Sequence, residues 1–537
     1  GRVGSVLWFE GDGTKRHKIT PRPQCILKQG QVRIAPSLSE TINLSKDDGF
    51  DKKSKWQTAI LQRFVRAVRM EFEHRGSYET QSAAIAAIVP QDRMNSADVA
   101  RVGQATSKRR LITPSPTFGY RSAPRSTAPV NEFRRNTPQI LCMPVDLANP
   151  PAGFIKNPFP HYDDLLRNSP VTPQPDGSFL ICRHADLNAI YRDTGTYISD
   201  KKQAFAPKFG IGTPLYEHHT TSLVFNDPPL HTRVRRIMTG ALTPAALARM
   251  EPGLIATVDS LLDGMPQDAD LIEDFSSVIP IQIIGNLLNI PRQERGPLRD
   301  WSLAILGALE PTLTEAQVQR GHAAVSEFKA YLQDLIARRR AAPGDAETDV
   351  LTRLIEGDAS GRLSEIELIQ NCIFILNAGH ETTTNLIGSG LALLHDLPDQ
   401  KRFLLNDLSL IDGAVEEILR LRSPNQFGNR ETTRGVVIGG YDIPARANLH
   451  LCIGAANRDS AVFDNPTQFD IKRKPNRHLA FAGGPHVCIG LTLARMEGRI
   501  AIGRFLKRYP DYRLKPGRAS GGRIRFHGYK SLPARVC

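Results

Sequence analysis

The stretch Phe481-Ala482-Gly483-Gly484-Pro485-His486-Val487-Cys488-Ile489-Gly490 decides how the rest of the chain is interpreted. Its Gly-Gly-Pro predicts a tight turn, because glycine adopts backbone angles that are closed to other residues. The good helix formers from Leu491 onward predict a helix, whose N-terminal dipole would favour a thiolate at Cys488. A cysteine beside a glycine turn is usually a buried structural thiol, whereas a thiolate is a ligand for iron.

The full spacing of this stretch favours the iron ligand. Phe481, Gly484, His486, Cys488 and Gly490 match, position by position, the haem-binding loop of the cytochrome P450 family in its bacterial style. The resemblance implies haem b, iron protoporphyrin IX, with Cys488 as its axial ligand. It also implies that Phe481 packs near the sulfur, that His486 reaches a propionate and that Gly490 leaves room for a close approach. Thiolate ligation favours O–O cleavage, which suits oxygen insertion.

Composition predicts a globular protein with a basic first part. The chain has 537 residues, 40% of them apolar, and a net charge of +14. Residues 1–142 hold 24 Lys and Arg against 12 Asp and Glu, so about +12 of that charge lies there. Seven scattered cysteines without C-x-x-C spacing argue against disulfides or a cysteine-bound metal cluster, and favour a reducing cytoplasm. Without a run of about 18 apolar residues, we expect no membrane span.

Residues 1–142 read as a basic, largely irregular extension of unknown role. Residues 56–73 have the apolar spacing of an amphipathic basic helix, and the Ser, Thr, Pro and Arg of residues 107–137 predict disorder. An isolated basic triplet at 108–110 is usually a charged surface, so we expect no nucleic-acid partner. Met143 is a candidate natural start, in which case the extension is not native coding sequence. The resemblance assigns a haem-thiolate monooxygenase domain to residues 143–537.

Three further basic positions match the family's propionate-binding residues. His231 and Arg235 are spaced i,i+4, so they lie on one helical face and can share an anion or form an ordinary surface pair. The resemblance places both near the haem propionates. Arg430, ten residues after Arg420, matches a third family position that pairs with a propionate.

A long central helix is predicted from the capping box at Ser364 to about Leu394. Midway it carries polar residues, and the zinc-protease pattern H-E-x-x-H fails because Thr384 replaces the second His. The family has Ala-Gly-x-Glu/Asp-Thr here, matching Glu381 and Thr382. The resemblance implies that the helix widens over the haem to leave an oxygen groove, and that Glu381 and Thr382 supply protons during O2 activation.

Glu417 and Arg420 are spaced i,i+3, which alone indicates a solvated ion pair on a helix surface. In the family the same Glu-x-x-Arg is buried and joined by an arginine farther on. The matching residue here is Arg473, and the resemblance gives the three residues a structural role behind the haem.

These observations predict a mainly α fold with small β-sheets, the cytochrome P450 fold. The predicted activity is insertion of one atom of O2 into a hydrophobic small molecule, of which terpenoids are one class. Electrons are expected from a separate ferredoxin and ferredoxin reductase, because the chain lacks a G-x-G-x-x-G dinucleotide motif and clustered cysteines. The alternatives are an H2O2-dependent peroxygenase, which the Glu381-Thr382 pair disfavours, and a basic interaction protein acting through residues 1–142.

Overall fold

The computed structural model describes residues 145–346, 349–358 and 361–537, and two short strands, Ser5–Val6 (β1) and Arg22–Pro23 (β2), that pair antiparallel. The chain divides into two compact units, residues 1–134 and residues 135–537. The helix predicted at residues 56–73 and the disorder predicted at residues 107–137 lie outside the described residues. The domain boundary predicted at Met143 stays a prediction.

The second unit is mainly helical with small sheets, so the predicted fold class is confirmed. Its α-helices are α1 Phe159–Asn168, α2 His184–Arg192, α3 Lys202–Phe209, α4 Pro214–Thr221, α5 Leu230–Ala241, α6 Pro244–Asp263, α7 Val278–Leu287, α8 Leu298–Gly307, α9 Glu315–Ala341, α10 Val350–Glu356, α11 Glu365–Asp396, α12 Pro398–Asn406, α13 Ile411–Leu421, α14 Ile453–Ala456 and α15 Leu491–Arg508. Shorter helical turns are Leu223–Phe225, Leu271–Ser276, Arg292–Glu294, Leu408–Leu410 and Gly484–His486.

The strands form one five-stranded sheet and several smaller ones. They are β3 Val171–Pro173, β4 Phe179–Ile181, β5 Tyr197–Ile198, β6 Asp268–Asp270, β7 Phe427–Thr432, β8 Val436–Ile438, β9 Tyr441–Ile443, β10 Asn448–Cys452, β11 Arg513–Leu514, β12 Ala519–Ser520, β13 Tyr529–Ser531 and β14 Pro533–Arg535. The main sheet has the order β3-β4-β10-β7-β5, with β10 parallel to β4 and the other pairs antiparallel. This sheet holds β7 and its Arg430 in a fixed register, with Arg430 opposite Leu449.

Helix α11 runs through the core and carries much of the site. The predicted capping box is present: Ser364 and Glu367 bond reciprocally at its N-terminus. Other elements approach α11 at glycines, since a Cβ on Gly388 would lie 2.5 Å from Ile272 and one on Gly390 would lie 2.8 Å from Ile502. Among the described residues, no helix is both long and apolar enough to cross a membrane.

Candidate active site

The cysteine loop is closed by its own backbone and buttressed by α2. The Cys488 amide donates to the Phe481 carbonyl at 3.0 Å, and α15 begins three residues after the cysteine. Gly484 has φ +63°, and a Cβ there would lie 2.0 Å from the carbonyl oxygen of Tyr191. Glycine is therefore required at this position both by conformation and by the approach of α2.

The thiol of Cys488 has open space beside it. A Cβ on Gly490 would meet nothing closer than the Cys488 Sγ, at 4.0 Å, so there is room beside the sulfur for another group. Burial raises the pKa of the Cys488 thiol, although the Gly490 amide, Arg235 and Arg495 all act to lower it. The helix terminus thus favours a thiolate against the effect of burial, and a bound metal ion would add positive charge beside the sulfur.

Four predicted residues, His231, Arg235, Arg430 and His486, come together as a cationic cluster beside the loop. The rings of His231 and His486 stack with centroids 3.9 Å apart. Burial, together with the charges of His486 and Arg235, lowers the pKa of His231 to about 4. Both His231 nitrogens and the Arg430 Nε are buried without a hydrogen-bond partner.

Neither arginine of the cationic cluster is neutralised by the protein. Arg430 donates from Nη1 to the Asn429 carbonyl at 2.7 Å and lies over the Tyr191 ring. Within the described parts of the chain, neither Arg430 nor Arg235 forms an ion pair with a carboxylate. Buried cations and unpaired ring nitrogens are costly unless an anion meets them, so the cluster is suited to bind one.

Asp227 orients His486 and was not predicted from the sequence. Its Oδ1 lies 3.7 Å from His486 Nε2, and its carboxylate accepts the amides of Ser199 and Asp200 at 2.9–3.0 Å. Burial would raise the pKa of Asp227, but these hydrogen bonds lower it overall. Asp227 stands four residues before His231 in the sequence Asp-Pro-Pro-Leu-His, and this short spacing could have indicated that the carboxylate lies near the histidines.

One face of α11 is open midway along the helix, where most of its neighbours are buried. Ala378 is exposed, and Ile375, Gly379 and Thr382 are half-buried at helical spacing from it. The Thr382 hydroxyl donates to the Ala378 carbonyl at 2.7 Å. The helix is continuous from Glu365 to Asp396, and the predicted widening over a haem stays a prediction.

The two neighbouring threonines point to different surroundings. Thr383 is buried and its hydroxyl donates at 3.2 Å to Glu497 of α15, a carboxyl whose pKa burial raises to about 8. Thr382 instead lies on the open face. It is therefore Thr382, and not Thr383, whose hydroxyl can meet a molecule bound beside α11.

Glu381 is buried and held by an arginine from the C-terminal segment. Arg523 Nη1 lies 2.5 Å from a Glu381 oxygen, and its Nη2 donates to the Leu303 carbonyl at 2.9 Å. Burial raises the pKa of Glu381 to about 7, against the lowering effect of Arg523. Arg523 also lines a largely apolar cavity of about 540 Å³ with Glu310, so the partner of Glu381 reaches an opening of the protein.

Comparison with known proteins agrees with this arrangement. Residues 305–516 match the family model for cytochrome P450. The chain is 34% identical to the biotin biosynthesis cytochrome P450 of Bacillus subtilis (strain 168) over 373 residues, 67% of this chain and 91% of that protein. The chain belongs to the cytochrome P450 family. This P450 is also 35% identical to the vitamin D(3) 25-hydroxylase of Pseudonocardia autotrophica, over 68% of this chain and 89% of that protein.

Solved structures extend the comparison to the fold. The crystal structure of P450BioI in complex with acyl carrier protein ligated with hexadec-9Z-enoic acid superposes with a TM-score of 0.67 and 30% identity, covering 72% of this chain and 99% of that one. The predictions of a bacterial cytochrome P450 and of a monooxygenase-type oxidoreductase are confirmed. Membership of the family implies a haem-thiolate cofactor.

The side chains of this P450 fit such a group. A thiol with open space beside it, two unpaired arginines and an exposed stripe of α11 are what an iron, two propionates and a flat macrocycle would meet. The Phe481 ring is half-buried at the start of the same loop, where the guanidinium of Arg495 stacks on it at 4.9 Å.

Glu417, Arg420 and Arg473 form a carboxylate network in which Glu417 and Arg420 are buried and Arg473 is partly exposed. Arg420 donates to both Glu417 oxygens at 2.7 and 2.8 Å, and Arg473 Nε donates to the same carboxylate at 3.0 Å. Neither the Glu417 nor the Arg420 side chain is exposed. Asn476 and the Asp470 amide, which the sequence did not single out, complete the carboxylate at 3.0 Å.

Proposed function

We propose that this chain binds haem b through Cys488 and inserts one atom of O2 into a hydrophobic small molecule. Three unmatched features carry the proposal: the half-open thiol of Cys488, the unpaired cationic cluster whose Arg235 acts on that thiol, and the open face of α11. When bound, a haem-thiolate supplies the oxygen-activating chemistry of the family. The protein supplies the ligand, the anion sites and the protons.

The cationic cluster would hold the cofactor by its propionates. Arg235 and Arg430 would each form a charge-assisted pair with a carboxylate, and the unpaired nitrogens of His231 would gain partners. His486, oriented by Asp227, would bind beside them. The carboxylate network is proposed to brace the segment behind the cofactor, because its groups are satisfied by the protein alone.

Proton supply is assigned to Glu381 and Thr382. Insertion of one oxygen atom leaves the other to depart as water, which takes up two protons. The Thr382 hydroxyl holds a proton at the open face of α11, and Glu381, with a pKa of about 7, can reload from solvent at neutral pH. Its link through Arg523 to the cavity that Arg523 lines with Glu310 and Arg320 supports this route, and the route favours O2-dependent turnover over the peroxygenase alternative.

Electrons are proposed to come from a ferredoxin and its reductase. A groove of about 530 Å³ on the side of the cysteine loop is lined by Arg235, the exposed Arg236 and uncharged residues, beside Pro485. Such a surface suits an acidic partner, although Arg236 also pairs with Asp358 at 3.2 Å. Among other basic residues, Lys472 is exposed and could dock a partner, whereas Arg422 is half-buried with its guanidinium over the Phe159 ring at 4.2 Å and offers no docking charge.

The substrate is proposed only as a hydrophobic small molecule, with terpenoids retained as one class. The names of the two curated relatives concern biotin biosynthesis and vitamin D(3), which are chemically different compounds. A cytoplasmic location likewise remains a proposal that rests on the scattered cysteines of the sequence.

The test of the proposal is the thiolate ligand. Cys488→Ser should abolish the reduced carbon-monoxide band that gives the family its name, because serine offers iron no thiolate. Cys372→Ser is the matched control, since Cys372 is a buried thiol on α11 whose pKa burial raises to about 12. Retention of the band in Cys488→Ser would assign the ligand to another residue. With the wild type, NADPH alone should give no product until ferredoxin and reductase are added.

A further inference from the structure

The C-terminal segment carries a second arginine, Arg525, that faces away from Glu381. Its Nη1 donates to the Phe427 carbonyl at 2.7 Å and its Nε to the Leu309 carbonyl at 3.3 Å. Both acceptors are neutral. The arginine is half-buried, so a charged side chain stands inside the protein with hydrogen bonds but without a bonded anion.

Lys201 and Lys208 are likewise cations inside the protein without a bonded anion. These two lysines and Arg525 are called the basic lining. Lys208 donates to the main-chain carbonyl of Glu310 at 2.9 Å, and the buried Lys201 donates to the side-chain amide of Asn448 at 3.1 Å. Burial lowers the pKa of each lysine to about 8. In the portion of the chain that the structure describes, Lys201, Lys208 and Arg525 form no ion pair with a carboxylate.

The nearby acids do not balance these three cations. The Glu310 carboxylate accepts the amides of Ile524 and Arg525 at 2.9–3.3 Å, and its charge acts on Arg525 and Lys208. Glu431, which acts on Lys201, is already paired with Arg446 at 2.6 Å. Asp227 also acts on Lys201 and is held by the amides of Ser199 and Asp200. Glu310 is the one carboxylate named as acting on Arg525 and Lys208, so these two cations keep an excess of positive charge that a bound anion would offset.

An apolar wall adjoins the basic lining. Phe205, Phe209 and Phe225 surround the His219 ring with centroids 5.5–5.6 Å away, and the Lys208 ammonium lies 5.2 Å from the centre of the Phe209 ring. Burial lowers the pKa of His219 well below its usual value, so that ring is neutral, and both of its nitrogens are buried without a hydrogen-bond partner. The basic lining could thus bind the charged end of a ligand while the phenylalanine rings contact its apolar body.

The basic lining also adjoins the residues assigned to catalysis. Arg525 binds the first residue of β7, the strand that carries Arg430 of the cationic cluster. Two residues before it, Arg523 binds Glu381 of α11. The C-terminal segment therefore spans from the proton-supplying pair to the basic lining, which places these cations beside the space that a substrate would occupy.

We propose that Arg525 and Lys208 bind the carboxylate of an amphipathic substrate whose apolar chain packs on the phenylalanine wall and extends toward the open face of α11. Lys201 contributes long-range attraction. The inference rests on the proposed haem monooxygenase function and narrows its substrate to long-chain or polycyclic carboxylic acids. Guanidinium and ammonium groups bind carboxylates by charge-assisted hydrogen bonds, which are the strong ones in a low-dielectric interior.

The experiment compares an acid with its neutral ester on the haem-loaded full chain. Dodecanoic acid and methyl dodecanoate are titrated at neutral pH, and the affinity of each is measured from the spectral shift of the haem. The acid should bind at least about tenfold tighter than the ester, in line with hydrogen bonds to charged groups. Arg525→Gln and Lys208→Gln should each lower the affinity for the acid about tenfold and change that for the ester less than about twofold.

The controls separate charge from folding. Arg525→Lys keeps the charge and should retain most of the preference for the acid, whereas Lys472→Gln removes an exposed cation and should change neither affinity. An acid that binds no better than its ester, or a preference that survives both Arg525→Gln and Lys208→Gln, overturns this inference. The proposed function then stands, because the thiolate band and the spectral response to the ester report it independently. Absence of the thiolate band would overturn the function and the inference together.

Discussion

The carboxylate network and the cationic cluster are two buried groups of arginines with opposite relations to the protein. In the network, Arg420 is matched by both oxygens of Glu417 and by three main-chain carbonyls at 2.7–2.8 Å. In the cluster, Arg430 has one carbonyl partner and a buried Nε with none. The network is complete in the protein alone, whereas the cluster is incomplete without an anion.

This difference separates structural arginines from binding arginines without reference to any relative. A buried charge that the protein satisfies contributes to the specificity or stability of the fold. A buried charge that it leaves unsatisfied costs free energy, so its retention indicates a ligand that is absent from the chain itself. The comparison predicts opposite results for matched substitutions at the two places.

The largest effect is expected from breaking the network. Arg420→Ala leaves the Glu417 carboxylate buried with only Arg473, Asn476 and one amide, and should lower the free energy of unfolding by ~3–5 kcal/mol. Denaturant unfolding measures this. Arg430→Gln is the comparison, since it removes an unmatched charge: we expect little loss of unfolding free energy in haem-free protein but a clear loss of haem content. Equal destabilisation by both changes would contradict the distinction.

Next in size is the effect of Thr382→Ala on coupling. The change removes the one hydroxyl on the open face of α11, so haem content and substrate binding should stay near normal. Product formed per NADPH consumed should fall at least about tenfold, with the electrons appearing as hydrogen peroxide. Thr383→Ala is the control, because that hydroxyl is bound to Glu497 and faces away. Unchanged coupling in Thr382→Ala would assign proton delivery to another group.

A smaller effect is expected from Arg523→Gln. Arg523 is paired with a carboxylate of the protein, as Arg420 is in the network, but it also lines a cavity. In the wild type the Glu381 carboxyl has a pKa of about 7, so it loses its proton as the pH rises through neutrality. Arg523 lowers that pKa, and its removal should raise it. The midpoint of the pH profile of coupled turnover should therefore move to higher pH.

The pH profile also tests which residue titrates. Arg523→Lys keeps a cation and should leave the midpoint close to that of the wild type, while Glu381→Gln should abolish the transition. A midpoint that Arg523→Gln leaves in place would show that the profile reports a group other than Glu381.

Local patterns predicted which residues come together better than they predicted distant contacts. The cysteine loop and the i,i+4 pair His231 and Arg235 are short patterns that match the family, and the structure brings His231 and Arg235 to His486 of that loop. Their roles at a haem stay predictions. Arg473 was found only through the family pattern, since 56 positions separate it from Glu417. Arg523 escaped prediction because it lies 142 positions from Glu381 in a segment without a motif. Such contacts are decided by how the C-terminal segment packs on α11.

The predicted helix widening was carried over from the family as a property of the whole haem-bound site, and it stays a prediction. Here the hydroxyl of Thr382 bonds to the Ala378 carbonyl, a bond of the kind that often bends a helix. The thiolate predicted at Cys488 rested on the helix dipole. Burial of the thiol opposes the thiolate, and burial is not visible in a local pattern.

The smallest effect concerns Ala482, where the cysteine loop departs from the commoner glycine of the family. Ala482 has φ +57°, the left-handed region that costs a residue with a Cβ about 1 kcal/mol relative to glycine. Ala482→Gly removes that strain but also frees the unfolded chain, which loses more entropy on folding. The two terms oppose each other, so we expect the free energy of unfolding to rise by less than about 1 kcal/mol.

Gly484→Ala is the contrasting change: the same region of φ is combined there with a carbonyl 2.0 Å from the new Cβ, and the loop should lose haem. If Ala482→Gly lowers the free energy of unfolding by more than Gly484→Ala does, backbone conformation does not govern the stability of this loop.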